Sequence, residues 1–258
     1  GIAPQLREQF LVHRALHGEP PAPPVGGGRA VGAYELVREV GRGARAAVYE
    51  ARDRRDGRAV AVKLLLSGEY ASADDLALFR HEAAVLARLA HPHLVRLYDA
   101  GVADGRPFLA LELVGGPPLS RVIPSFRSPA AAAGLVETVA RAVHHAHLQG
   151  VVHRDLKPAN ILMAEGDGPD ARRPKVGDFG LARLLDGAGG RTRTGDIVGT
   201  LGYMAPEQAA GAAHTAGPGA DVYALGAILF ELLTGHPPFG PEPSAAALYR
   251  LLHEPPPA

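Results

Sequence analysis

Between two apolar runs, Val151-Val152 and Ile161-Leu162-Met163, stand a carboxylate at Asp155, an ammonium at Lys157 and a carboxamide at Asn160. The flanking runs read as short buried strands, so the polar residues occupy a loop pinned at both ends. Such a set suits proton acceptance, neutralisation of phosphate charge and coordination of a hard cation. Farther along, Lys175-Val176-Gly177-Asp178-Phe179-Gly180 brings a second carboxylate just before a glycine.

The elements that must position these groups can be read in chain order. Residues 3–17 carry Leu6, Phe10 and Leu16 among polar residues, an amphipathic helix pattern. Glu19 to Gly32 is rich in Pro and Gly and reads as a linker, placing a domain boundary near Ala33. Tyr34–Val40 alternates as a strand, and Gly41-Arg42-Gly43 follows. In a dinucleotide-binding fold a helix would come directly after the glycines. Here Ala47–Ala51 and Ala59–Leu65 read as two more strands around an Asp56-Gly57 turn, so the glycines sit in a hairpin. Residues 73–89 have a helical pattern, broken by His91-Pro92, and Leu94–Tyr98 and Pro107–Val114 give strands. Gly115-Gly116 after the last strand fits either a hinge or a plain linker.

Pro129 to Gly150 reads as a long Ala-rich helix with Leu135, Val136, Val139, Val143 and Leu148 as its apolar positions. His144 and His147 within it have a spacing that could chelate, but no His-Glu-x-x-His pattern or acidic set follows, so packing or surface roles are expected. A strongly apolar helix opens at Asp221 and ends near Thr234-Gly235, and a short helix runs from Ser244 to His253.

Composition excludes several classes. Lys plus Arg and Asp plus Glu both number 27, so the formal net charge of the 258 residues is zero, whereas a nucleic-acid binder should be basic. With no Cys there are no disulfides, thiolate zinc sites or cysteine nucleophiles, which fits a cytoplasmic, reducing setting. The apolar run at Ala224–Leu233 is too short to span a bilayer and contains Glu231. The chain begins with Gly rather than Met and reads as a piece of something longer, in which a membrane segment could lie elsewhere.

His153-Arg154-Asp155-Leu156 with Asn160, followed by Asp178-Phe179-Gly180, resembles the catalytic and metal-binding loops of protein kinases. The resemblance covers roughly residues 34–253, and its strength lies in order and mutual spacing. Gly41 and Gly43, Val60-Ala61-Val62-Lys63, Glu82 and Ala205-Pro206-Glu207 fall in family order around the two loops. Ala205-Pro206-Glu207-Gln208 and Val151-Val152-His153-Arg154-Asp155 are most similar to bacterial, eukaryotic-like serine/threonine kinases. Ala46 departs from the pattern at the third glycine, with a modest loss of nucleotide affinity expected.

The resemblance implies an α+β, bilobal fold: a small antiparallel five-stranded lobe with one long helix, and a mostly helical lobe. The divisions would be 1–33 (helix and linker), 34–114 (small lobe) and 115–258 (large lobe). Kinases continue with further helices, including an Arg that pairs with the Glu at the Glu207 position, so the large lobe is expected to be incomplete. It implies ATP and Mg²⁺ as cofactors and a protein Ser or Thr hydroxyl as acceptor. Asp155, Lys157, Lys63 and Glu82 would be catalytic, and Asn160 and Asp178 would bind metal. Gly41, Gly43, Val48, Ala61, Lys63, Leu162 and the backbone of Glu112 and Val114 would bind nucleotide, with Leu111 as gatekeeper. Thr200 would sit beside Asp155 and Lys157, and Asp221 would brace the catalytic-loop backbone. Leu86, Leu97, His153 and Phe179 match the family's hydrophobic stack. Phosphorylation of Thr192 or Thr194, next to Arg191 and Arg193, would order the activation segment through Arg154, with a homodimer serving autophosphorylation. The alternatives are a pseudokinase scaffold that binds without transfer and a small-molecule phosphotransferase of related fold.

Overall fold

A computed structural model of the protein describes residues 30–43, 46–65, 79, 83–126, 128–165, 172–179, 201–212, 216–240 and 244–255. The expectations that fall on residues 3–17, most of the 19–32 linker, most of the 73–89 helix, Glu82, Thr192, Thr194 and Thr200 lie outside the described residues. The chain divides into two compact units, one built on Val95–Pro117 with the described residues up to Ala90, the other on His91–Leu94 and the described residues from Pro118 onward.

The first unit is an antiparallel sheet of β1 (Ala30–Val31), β2 (Tyr34–Arg42), β3 (Ala46–Asp53), β4 (Ala59–Leu65), β5 (Leu97–Ala103) and β6 (Arg106–Glu112), in the order β1-β2-β3-β4-β6-β5. Alternation of side chains along paired strands divides residues between two faces. Ala47, Tyr49 and Ala51 of β3 and Val60, Val62 and Leu64 of β4 are buried with Tyr34, Leu36, Phe108 and Ala110. Each fully buried Val or Leu of this kind contributes about 1.5–3 kcal/mol. On the opposite face, Leu65, Leu97 and Leu109 pack with Phe79 and Ala83.

The sheet has one strand more than the five expected. Ala30 and Val31 pair with Glu35 and Tyr34 through a turn at Gly32-Ala33, so the end of the Pro/Gly-rich stretch belongs to the sheet. The strand expected at Leu94–Tyr98 begins instead at Leu97. Leu94 is held in a turn by its N–H donating to His91 O at 3.1 Å, and it makes a lone parallel bridge to Val176.

The second unit contains α1 (Leu119–Val122), α2 (Pro129–Leu148), the hairpin β7 (Ile161–Glu165) and β8 (Arg172–Val176), α3 (Pro218–Thr234) and α4 (Ala245–His253). α2 buries Ala132, Leu135, Val139, Ala142, Val143 and Ala146, a single stripe at helical spacing, and packs on α3 and β8. Leu148, expected in that stripe, is 70% exposed, because it stands two residues beyond Ala146 and so off the face that carries 135, 139, 142 and 146.

The expected strand at Val151-Val152 does not form. Gly150 adopts φ +77° at the end of α2, and the N–H of Val151 donates to Ala146 O at 3.0 Å, closing the helix with a C-terminal cap. That bond takes the donor a strand would have used. α3 ends the same way: Gly235 at φ +88° donates its N–H to Glu231 O at 2.7 Å. α4 starts on Ser244, whose hydroxyl accepts from Ala247 N at 3.0 Å. Among the described residues no helix is long and apolar enough to cross a membrane.

Candidate functional site: a braced acidic loop and a lysine-bearing sheet

In the second unit, the loop from His153 to Asn160 is held by its own polar groups. Lys157 Nζ donates to Asp155 Oδ2 at 3.0 Å and to Oδ1 at 3.3 Å. Asn160 Nδ2 donates to the Asp155 carbonyl at 2.7 Å and reaches Asp155 Oδ2 at 3.3 Å. The three residues singled out from their types are therefore brought together around one carboxylate, which is partly open to solvent, as is Lys157.

Beneath them lies a buried support. Asp221, fully buried in the first turn of α3, accepts the N–H groups of His153 and Arg154, each at 2.8 Å. This is the brace expected of Asp221. It also accepts from His147 Nε2 at 2.7 Å, a partner that sequence reasoning missed. A buried carboxylate needs such donors to offset its lost hydration. The grip on two successive N–H groups accompanies a left-handed Arg154, at φ +61°. His153 is fully buried; its Nε2 donates to Gly177 O at 2.9 Å, so its Nδ1 is the acceptor for Asp155 N–H at 3.3 Å. Its ring lies 4.7 Å from that of Phe179. Of the expected stack, His153 and Phe179 meet in this unit, while Leu86 and Leu97 pack in a cluster of the first.

The second carboxylate is positioned by the β7–β8 hairpin. Ile161 pairs with Val176, and Gly177 N–H donates to Asn160 O at 2.9 Å, one step beyond that pair. Asn160 and Asp178 thus stand at the same end of the hairpin, with Asp178 exposed at φ +56° and Phe179 buried beside it. Because Asn160 Nδ2 is committed to Asp155, its Oδ1 is the atom it can offer a cation. One amide oxygen plus one carboxylate fits Mg²⁺, which keeps water or phosphate oxygens in its remaining positions. Leu162 is half-buried between the fully buried Ile161 and Met163, on the other side of β7.

The first unit gathers the remaining positions on one face of its sheet. Val48 lies directly opposite Lys63, Ala61 opposite Glu50, and Leu109 and Leu111 opposite Lys63 and Ala61. Val48, Ala61 and Lys63 are all partly open, between fully buried neighbours. Phe79 and Ala83 pack with Leu65 and Leu109 on this same face. Gly41 pairs with Val48 after a register shift, and Gly43 N–H donates to Ala46 O at 2.8 Å. Glu112 N–H donates to Arg96 O at 2.8 Å, just ahead of β5, which commits that group, and Val114 follows as a buried residue.

The family description "Protein kinase domain" matches residues 34–254. The chain belongs to the protein kinase family. It is 40% identical over 231 residues to the DNA damage-responsive serine/threonine-protein kinase RqkA of Deinococcus radiodurans, covering 88% of this chain and 33% of that protein. It is 42% identical over 226 residues to serine/threonine-protein kinase PkaA of Streptomyces coelicolor, covering 82% of this chain and 41% of the relative. Against serine/threonine-protein kinase PknA of Mycobacterium tuberculosis the identity is 39% over 236 residues, 88% of this chain and 52% of PknA. The chain therefore spans about a third to a half of the length of these relatives. The antiparallel sheet and the mainly helical second unit are those of the kinase-like α+β fold.

Proposed function

We propose that the chain is the catalytic domain of a protein serine/threonine kinase that moves the γ-phosphoryl group of ATP to Ser or Thr hydroxyls. The observation that carries this is the Asp155 carboxylate held between Lys157 and Asn160, on a loop whose backbone is bonded to a buried Asp221. The acceptor oxygen bonds to the γ-phosphorus as its proton passes to Asp155, and the bond from that phosphorus to the β–γ bridging oxygen breaks, releasing ADP. Lys157 neutralises charge on the transferred group. Asn160 and Asp178 would hold Mg²⁺, which supplies charge neutralisation on the phosphates.

Lys63 would pair with the α- and β-phosphates, with Glu82 as its ion-pair partner. Gly41 and Gly43 would cover the phosphates; Val48, Ala61, Leu162 and the backbone of Glu112 and Val114 would hold the adenine. Val48, Ala61 and Lys63 sharing one half-open sheet face supports that assignment. The proposed divisions are 34–114 and 115–258, preceded by a helix and linker over 1–33 whose end, β1, joins the sheet. A cytoplasmic setting, protein rather than nucleic-acid substrates, and homodimers for autophosphorylation on Thr192 or Thr194 complete the reading. Phosphopeptide mapping of an autophosphorylated sample with neither threonine modified would sink the last part.

Incubation with labelled ATP and a generic protein acceptor tests the proposal. Label on Ser and Thr with the native chain, and none with Asp155→Asn, is expected. Native signal no greater than that of Asp155→Asn would remove the catalytic claim and leave a nucleotide-binding scaffold as the better reading.

A further inference from the structure

Gln208 follows Ala205-Pro206-Glu207 and opens a short wide helical turn, Gln208–Ala212. It is 7% exposed, and both ends of its carboxamide are bonded. Nε2 donates to the Arg154 carbonyl at 2.9 Å, and Oε1 accepts from Ala205 N–H at 3.2 Å. The two partners fix the amide's orientation, since a carbonyl must meet the NH₂ and an N–H must meet the oxygen. The Arg154 carbonyl belongs to the peptide unit whose nitrogen is that of Asp155, and that N–H is held by His153 Nδ1.

We infer that Gln208 is a positioning residue for Asp155: its carboxamide ties the peptide unit leading into that carboxylate to the segment beginning at Ala205. The inference rests on the reading of Asp155 as the proton acceptor. Asp221 grips the N–H groups of His153 and Arg154, and Gln208 grips the opposite pole of the next peptide, so the left-handed Arg154 is fixed from both sides. A carboxamide does this at any pH. A carboxylate of the same shape keeps the bond from Ala205 N–H but turns a lone pair toward the Arg154 carbonyl. A thioether keeps the volume and loses both bonds.

Protonation restores the missing donor in Gln208→Glu, because a neutral carboxyl has one O–H to give. Burial beside a carbonyl raises the pKa of such a group. Arg154, Asp155 and Glu207 are the charged neighbours along the chain and across the bond. Each variant's rate is expressed as a ratio to the native rate at the same pH, so that pH effects common to all the chains cancel.

The test is kcat and KM for ATP with a protein acceptor between pH 8 and pH 6, for native, Gln208→Glu and Gln208→Met chains, with Asp155→Asn alongside. Both Gln208 variants are expected to lose about 10- to 100-fold in kcat at pH 8 with KM for ATP unchanged, the cost of a displaced reacting group. The Gln208→Glu deficit should shrink on acidification while that of Gln208→Met stays constant. If Gln208→Met does not fold, the pH dependence is read within Gln208→Glu alone. Native-like kcat, or a Gln208→Glu deficit that does not change with pH, overturns the inference. If Asp155→Asn transfers phosphate at the native rate, the underlying reading fails instead, and amide exchange over residues 151–160 decides the contact. Faster exchange in both Gln208 variants supports the tie, and unchanged exchange removes it.

Discussion

Replacing Asp221 by Asn should loosen the loop from His153 to Asn160 without any change in side-chain shape. The carboxylate is 0% exposed and takes three donors: His153 N–H at 2.8 Å, Arg154 N–H at 2.8 Å and His147 Nε2 at 2.7 Å. An amide offers one oxygen. If that oxygen serves one backbone N–H, the NH₂ faces the other, setting donor against donor. Loss of a hydrogen bond to a charged group costs about 1.5–3 kcal/mol, and a buried donor left unmet adds about 1–3 kcal/mol. The expected loss is therefore about 3–5 kcal/mol. Part of it is spent on Arg154, whose left-handed backbone carries of order 1–3 kcal/mol of strain and persists only under firm surroundings. Urea unfolding of native and Asp221→Asn chains, followed by tyrosine near-UV dichroism, measures the loss, and amide exchange over residues 151–160 locates it. His147→Phe should cost less, about 1.5–3 kcal/mol, because the carboxylate keeps both backbone donors and no buried N–H is left unmet. An Asp221→Asn chain within about 0.5 kcal/mol of native, the range of an ordinary surface change, would refute the bracing argument.

Three further outcomes follow from local geometry. A Cβ added at Gly101 would stand 2.9 Å from Cε1 of the buried Phe108 ring, so Gly101→Ala should destabilise the sheet by about 1–3 kcal/mol in the same unfolding assay. The Arg55 guanidinium, bonded to both oxygens of Asp53, holds that carboxyl down at about 2, so its contribution to stability is present above the unfolded value near 3.9 and lost as pH falls through about 2. Arg55→Met should return the Asp53 titration toward the ordinary range, read by NMR of the carboxyl carbon. Burial raises the Glu231 carboxyl above its ordinary value, against the opposing bond from Tyr203 Oη at 2.7 Å. A raised acid favours the folded state only while protonated, so Glu231→Gln should be more stable than native at pH 8, with the gain shrinking toward pH 4.

The sheet was largely legible because its physics is local. Ala47–Ala51 and Ala59–Leu65 read as strands around the Asp56-Gly57 turn, the family resemblance singled out Val48, Ala61 and Lys63, and the observed pairing sets Val48 opposite Lys63. The loop residues were legible from their types, since a carboxylate, an ammonium and a carboxamide stand close together between two apolar runs. What escaped depended on distant partners or on competing local bonds. Val151-Val152 has strand composition, yet the N–H of Val151 is taken by the cap of α2. His147 sits among other histidines in a helix, and its role comes from Asp221, 74 residues away. Gln208 read only as part of a bacterial signature; its partner, the Arg154 carbonyl, is 54 residues back. Backbone acceptors leave no residue type to recognise, so no pattern in the chain could announce that bond.

In the proposed transfer, Asp155 takes the acceptor's proton while the other site residues bind nucleotide independently of it. Single-turnover phosphate transfer at saturating ATP, with nucleotide Kd measured in parallel, compares native with Asp155→Asn most directly. A loss of about 10²–10⁴-fold in the transfer rate at unchanged Kd is the predicted result. Transfer at the native rate, or a nucleotide Kd weakened by the substitution, would contradict it.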